Sequence, residues 1–363
     1  MIPKDSNLIV AGSPNLGGNS YYFFKMMRVK KINSHRVVFL SRKLTEVAEI
    51  IKEEGSGSSY HLLSFKGIWS FLRAKTVVLT HGPSDFFYYI GKRNLRKRIV
   101  NFWHTIPIKD MSGIAKGSNL TWDIQTVSSP WEKSLYENYG VKAKLVITGY
   151  PRNEYLIWAE KNQVELSRIK SKLDQYLQFT PSKIIVYAPT YRHHIGTDFF
   201  PFDDFNPQEI LEFCKKHQIV ILIRLHPNER ESSSDSKLKK LLESKYFIFA
   251  NRDKFSKMAE LLLISDIVIT DYSGSYFDFL LLNRPTIFLP YDRVEYNNLY
   301  GFAVNFDEVS QMTTCQNQAE LLETIETIVN GSLEIVEFLA EQKEKYHQYD
   351  PENCSRNLVS YFN

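Results

Sequence analysis

The residues best suited to chemistry lie in short stretches that each close an apolar run. The first is Thr270-Asp271-Tyr272-Ser273-Gly274-Ser275-Tyr276-Phe277-Asp278, after Ile267-Val268-Ile269. The β-branched run reads as a buried parallel strand, and a helix is expected to start at Ser273. A strand that passes through small residues into a helix leaves backbone N–H groups pointing over the strand end, beside the positive end of the helix dipole. Phosphate is the usual occupant of such a turn. An ordinary capped helix, with Asp271 or Ser273 as the cap, fits the same residues equally well.

The second stretch, Arg224-Leu225-His226-Pro227, closes Ile219 to Ile223. Arg224 and His226 fall on one side of an extended segment, and Pro227 stops the strand. That pair suits neutralising a diphosphate or protonating a leaving group; a lone histidine would read as structural beside a turn, but the arginine at the same strand end tips the pair towards chemistry. The third, Trp103-His104-Thr105-Ile106-Pro107, puts an imidazole able to accept a proton from a hydroxyl at another strand end. Taken alone, it reads better as a Trp–His pair packed at a loop base. Gly149-Tyr150-Pro151-Arg152 and Tyr187-Ala188-Pro189-Thr190-Tyr191-Arg192 each offer an arginine after an extended X-Pro step. Each is a candidate anion contact or simply loop punctuation.

The elements that must position these residues alternate between short apolar runs and helical stretches. In the first half, strands are expected at Leu8–Val10, His35–Leu40, Thr76–Leu79, Ile99–Trp103, Ile124–Val127 and Leu145–Thr148. Helices are expected at Asn19–Val29 and Leu44–Glu54, and Glu53–Ser59 reads as a Gly/Ser-rich loop. In the second half, strands are expected at Lys183–Tyr187, Ile219–Arg224, Phe247–Ala250, Ile267–Thr270 and Thr286–Leu289. This βα alternation on both sides of a polar break between Tyr155 and Thr180 predicts an α/β chain of two facing Rossmann-like domains with a cleft between them, the GT-B architecture. The expected boundaries are 1–155 and 156–345, with a closing helix in 346–363 that crosses back to the first domain. In such sheets ligands bind at the carboxyl ends of strands, where most of these stretches fall.

Composition narrows the function classes. The 363 residues are 43% hydrophobic and 24% charged, a balance normal for a soluble chain of two domains. A net charge of +4 argues against a dedicated nucleic-acid binder. The 24 Phe and 21 Tyr suit a protein that handles sugars or touches a membrane interface. Cys214, Cys315 and Cys354 are widely spaced and read as reduced, structural cysteines of a cytosolic protein. There is no apolar signal core at Met1–Asn7 and no run long enough to span a bilayer, so any membrane contact is expected to be peripheral. Phe86 to Ile90, followed by Lys92, Arg93, Arg96, Lys97 and Arg98, is aromatic and then basic. It suits an anionic membrane surface, although such runs are more often solvated helix faces. The sequence has no Walker loop, no HExxH, no GxSxG and no metal-ligand spacing, so neither a metal nor a cofactor is expected.

Taken in order, the stretches resemble the CDP-glycerol glycerophosphotransferase family, the teichoic acid primases and polymerases. That family's Trp-His-Gly-Thr-Pro, Gly-Tyr-Pro-Arg, Tyr-Ala-Pro-Thr-Trp-Arg, Arg-x-His-Pro and Thr-Asp-Tyr-Ser-Ser motifs stand here at Trp103–Pro107, Gly149–Arg152, Tyr187–Arg192, Arg224–Pro227 and Thr270–Ser275. A Phe-Asp follows the last at Phe277-Asp278. The resemblance runs from Asn19 to Arg356, with departures at Thr105-Ile106, Tyr191 and Gly274. It implies a CDP-polyol donor, most simply CDP-glycerol, and a hydroxyl acceptor on a glycan or lipid-linked molecule. It further implies catalysis by His104 as base and His226 assisting the leaving CMP. Arg224, Asp271, Ser273, Gly274, Ser275, Arg152, Arg192 and Asp278 are then the substrate-binding residues. A cytoplasmic enzyme peripheral on the inner face of the membrane follows from lipid-linked acceptors. The competing expectations are a GT-B glycosyltransferase using a nucleotide sugar and a regulatory protein that binds the nucleotide without turnover.

Overall fold

The computed structural model describes residues 3–14, 16–86, 97–113, 122–190, 192, 197–225 and 236–362. The chain divides into two compact units. Unit 1 holds residues 1–106, 111–158 and 345–363; unit 2 holds residues 107–110 and 159–344. His226 and Tyr191 lie outside the described residues, as do residues 87–96 of the aromatic and basic run.

Unit 1 is built on seven parallel strands: β1 (Asp5–Gly12), β2 (Arg36–Ser41), β3 (Ser59–His61), β4 (Ala74–Leu79), β5 (Arg98–Asn101), β6 (Ile124–Val127) and β7 (Lys144–Ile147). Their order is β3-β2-β1-β4-β5-β6-β7. The chain therefore reverses its direction of winding between β1 and β4, which is where such sheets open a crevice. Three helices matter below: α1 (Asn19–Val29), α2 (Leu44–Glu54) and α3 (Phe65–Arg73). The β-branched and aliphatic residues of the central strands are nearly all buried, as strands covered by helices on both faces must be. The closing segment is fastened into this unit. Ser355 donates from its N–H and Oγ to Glu154 Oε2 at 2.9 and 2.5 Å, and Lys30 Nζ lies 3.0 Å from Glu154 Oε1.

Unit 2 repeats the plan with β8 (Lys183–Tyr187), β9 (Ile219–Ile223), β10 (Phe247–Phe249), β11 (Ile267–Thr270) and β12 (Thr286–Phe288), in the order β10-β9-β8-β11-β12. All of its pairings are parallel. Its core joins alternate strand residues such as Ile185, Tyr187, Ile221 and Ile269 to Phe200 and Phe247. The winding reverses between β8 and β11. The expected strands are present within a residue or two at their ends, apart from β1, which starts three residues before Leu8, at Asp5. The other exception is β3, which was not expected: its first residue, Ser59, falls at the end of the Glu53–Ser59 loop. The helix expected at Ser273 starts at Ser275 and ends at Leu280. All three cysteines are free and buried.

Candidate functional site

In unit 1 the chain leaves β5 through a left-handed residue. Trp103 has φ +60°, a conformation that a bulky side chain adopts only when its surroundings fix it, at about 1–3 kcal/mol. Three contacts do the fixing. The Trp103 N–H donates to Asn101 Oδ1 at 3.1 Å, and its carbonyl accepts from Asn19 Nδ2 at 2.7 Å. Its indole packs against Trp122 and Tyr136. Asn19, the first residue of α1, is fully buried, and its Oδ1 accepts the Arg152 N–H at 3.0 Å. One side-chain amide thus ties the β5 loop to the Gly149–Arg152 stretch.

The left-handed turn presents His104. Its ring is half-buried and lies flat on His81, with centroids 5.4 Å apart and planes 15° apart. His81 follows β4, on the side of the sheet's reversal. The buried carboxylate of Asp85 holds that turn, accepting from the Thr80 N–H at 2.6 Å and the His81 N–H at 3.0 Å. His81 Nδ1 lies 3.6 Å from the other Asp85 oxygen. A second imidazole beside His104 was missed at the sequence level. The available signal was a histidine two residues past the Leu79 that ends an apolar strand.

Arg152, expected as an anion contact, is used to hold the loop: its Nη2 donates to the His104 carbonyl at 2.6 Å. The rest of its motif is a brace. Gly149 has φ +67°, and a Cβ there would fall 2.1 Å from the Tyr349 ring. Pro151 opens the helix Pro151–Lys161. The Tyr150 hydroxyl donates to Glu132, whose other oxygen accepts from the Ser128 N–H and Oγ at 2.7 and 2.8 Å. Burial pushes the Glu132 carboxyl up to about 7, against the hydrogen bonds from Tyr150 and Ser128.

A pH dependence follows from this raised value. Below the ordinary carboxyl pKa of 4.5, Glu132 is protonated in both the folded and the unfolded chain. As pH rises to about 7, the unfolded group ionises and the folded one does not, so stability is lost across that window. Glu132→Gln cannot ionise. Thermal unfolding at pH 5 and pH 8 should therefore show a smaller loss for the variant than for the parent. Equal losses would place the proton elsewhere.

In unit 2 the reversal lies between the ends of β8 and β11, and Asp271 joins those two ends. Its Oδ1 accepts the Thr190 N–H at 2.8 Å and the Tyr272 N–H at 2.6 Å, and its Oδ2 pairs with Arg192 Nη1. Arg192 also forms a two-pronged pair with Asp292, Nε to Oδ2 at 2.9 Å and Nη2 to Oδ1 at 2.8 Å. It sits over the rings of Tyr272, Tyr291 and Tyr296 at 5.1–5.6 Å. Burial works to lower its pKa, but Asp271 and Asp292 outweigh that and raise it, so it stays charged. Two residues expected to meet ligand are thus partners of each other. Arg224 is likewise built in: its Nη1 donates to the carbonyls of Ala250 and Phe255 at 2.8 and 2.7 Å. Burial, then Arg252, lower its pKa to about 10.

What faces outward at this strand end is Ser273-Gly274-Ser275. All three are partly exposed, whereas Thr270 to Tyr272 before them and Tyr276 to Leu280 after them, Asp278 included, are buried. The two hydroxyls lie 2.9 Å apart. Gly274 stands at the helix start in a right-handed conformation and has no side chain to cap it. Of the two caps the plainer account offers, Asp271 is committed to the β8 loop and Arg192, while Ser273 Oγ does accept the Ser275 N–H at the helix start, at 3.3 Å. Among the described residues no cluster of three or more His, Cys, Asp or Glu could hold a metal ion.

Two doubly wound sheets, each with polar and aromatic loops gathered at the carboxyl strand ends beside its reversal, define a GT-B α/β protein. The chain belongs to the CDP-Glycerol:Poly(glycerophosphate) glycerophosphotransferase family, whose model matches residues 1–362, and so it is a transferase. It is 27% identical over 298 residues to the teichoic acid glycerol-phosphate transferase of Staphylococcus aureus, covering 76% of this chain and 72% of that one. It is 32% identical over 216 residues to the teichoic acid glycerol-phosphate primase of Bacillus spizizenii, covering 59% of this chain but only 51% of the primase. The solved wall teichoic acid polymerase TagF superposes with a TM-score of 0.77 at 19% identity, over 99% of this chain and 89% of the other. At that identity the superposition speaks for the fold.

Proposed function

We propose that this enzyme transfers a polyol phosphate, glycerol phosphate in the simplest case, from a CDP-polyol to a hydroxyl of a glycan or lipid-linked acceptor in synthesis of a teichoic-acid-like polymer. The observation that carries the reading is the Ser273-Gly274-Ser275 turn. It is the open part of an otherwise buried strand-to-helix junction, at the reversal of the sheet, in a chain of the glycerophosphotransferase family. The acceptor oxygen attacks the distal phosphorus of the donor. A P–O bond forms there, the bond from that phosphorus to the bridging oxygen breaks, and CMP leaves with the bridging oxygen. His104 accepts the acceptor's proton, and His226 supports the departing CMP. The serine hydroxyls and the Gly274 backbone hold the transferred phosphoryl group or its neighbour. Arg192, Asp271 and Arg224 act one step back, by fixing the loops that carry the turn. Placement does most of the work in such a transfer, because aligned reactants and neutralised charge account for most of the barrier lowering.

The test is product analysis with a panel of CDP-polyols, nucleotide sugars and short acceptors. CMP release with a phosphodiester mass increment is expected. Nucleoside diphosphate release with a glycosidic bond would replace this reading by a glycosyltransferase, and binding without turnover would replace it by a sensor. The same reading places the enzyme at the inner membrane surface, where lipid-linked acceptors lie. Among the described residues no helix is long and apolar enough to cross a membrane.

A further inference from the structure

We propose that the outer face of α3, with Leu63 just before it, is the surface that seats unit 1 on a bilayer carrying anionic lipids. The inference rests on the reading of a peripheral membrane enzyme above and names the residues responsible. Local sequence fixes the rotation of α3. Ser64 caps it, its Oγ accepting the Gly67 N–H at 3.1 Å. Gly67 must face inward, because a Cβ there would lie 2.3 Å from the His61 carbonyl. Ser70 and Phe71 are buried with it. Helical spacing then forces Phe65 and Trp69, one turn apart, to the outside. They are 82% and 45% exposed, and Leu63 is 55% exposed. The two rings are stacked, 7° from parallel with centroids 6.4 Å apart. The result is a flat aromatic platform facing outward on a helix whose fold requires none.

Charge selects the occupant. Among the described residues between Gly55 and Arg98 there are five lysines and arginines, Lys66, Arg73, Lys75, Lys97 and Arg98, and one acid, Asp85, which is buried at the His81 turn. The nearest carboxylate paired to α3 is Asp5, 3.6 Å from Arg73. Two lysines cover the carbonyls at the end of the helix, Lys4 Nζ on Leu72 at 2.7 Å and Lys97 Nζ on Phe71 and, just past the helix, on Ala74 at 2.5 Å. Lys97 and Arg98 are the described end of the basic run that starts at Lys92, and Lys97 meets the foot of α3. Aromatic rings flanked by cations suit the headgroup region of an anionic bilayer. A second copy of the chain would bring two like-charged faces together instead.

Binding to phosphatidylglycerol–phosphatidylcholine vesicles, read by flotation and compared with pure phosphatidylcholine, tests this. The parent is expected to bind the anionic vesicles, less so at high salt. The double variant Phe65→Ser, Trp69→Ser should bind about tenfold or more weakly, while its release of CMP with a soluble acceptor stays at the parent level. Trp69→Phe, which keeps the packing, should lose part of the emission blue-shift the parent shows on vesicle binding. Equal binding by the double variant and the parent would overturn the assignment to α3 and leave membrane attachment to the basic run, separately tested by neutralising Lys92, Arg93 and Arg96. A parent that binds neither vesicle would overturn both the face and the peripheral reading. A parent dimer that the double variant breaks would assign the face to a second copy and overturn the lipid.

Discussion

Replacing His104 with alanine is expected to lower turnover by about two to four orders of magnitude, the usual worth of a general base, while the fold stays intact. The second half of that expectation is as structural as the first. The loop after β5 is held by backbone atoms: the Trp103 carbonyl on Asn19, the Trp103 N–H on Asn101 and the His104 carbonyl on Arg152. None of these is lost when the imidazole is removed, and the ring is only half-buried. Rate and stability should therefore separate cleanly. Asn19→Ala is the opposite case. It strands the buried Trp103 carbonyl and the Arg152 N–H together, so it should reduce stability along with rate, an unmade buried hydrogen bond costing about 1–3 kcal/mol. CMP release under saturating donor, together with thermal unfolding of both variants, is the measurement. Near-parent turnover in a folded His104→Ala protein would remove the base from His104 and turn attention to the stacked His81.

The strands were legible because each is a β-branched or aliphatic run long enough to show against its neighbours, and the two sheets follow from βα alternation. The three residues of β3 were not, since Ser59-Tyr60-His61 has no periodicity to detect and borders a Gly/Ser stretch. The strand-end residues of the candidate site were legible as positions and not as roles. Arg192 and Asp271 both looked ready for a ligand, yet they are 79 residues apart in sequence and ion-paired to each other. Arg152 reaches a carbonyl 48 residues away. A guanidinium's partner is decided by tertiary packing, and a motif of four or five residues carries no record of it. His81 shows the converse: a lone histidine in an unmarked turn acquires interest only once its ring is found lying on His104.

Arg192→Met is expected to be the most destabilising single substitution at the site. The guanidinium is 6% exposed and offsets two carboxylates, and Asp271 is 1% exposed. Methionine fills much of the volume between the tyrosines but leaves Asp271 with its backbone donors alone. Removing one member of a buried pair typically costs about 3–5 kcal/mol, because the survivor stays charged and dehydrated. Against a usual total of about 5–15 kcal/mol, that is a large fraction. Arg192→Lys should recover only part, since an ammonium cannot meet Asp292 with two parallel bonds and reach Asp271 as well. Arg192→Met combined with Asp271→Asn should cost less than the sum of the two, as expected for residues in direct contact. Denaturant unfolding of the parent and the four variants, the Asp271→Asn single included, followed for the transition of unit 2, checks the set. A loss below about 1 kcal/mol for Arg192→Met, the worth of an exposed ion pair, would mean that the pair does not hold the β8 and β11 loops together. The turnover of the same variants then tells what that tie is for. If the Ser273-Gly274-Ser275 turn is positioned through Asp271, rate should fall in Arg192→Met even at temperatures where the protein remains folded, with the lysine variant in between.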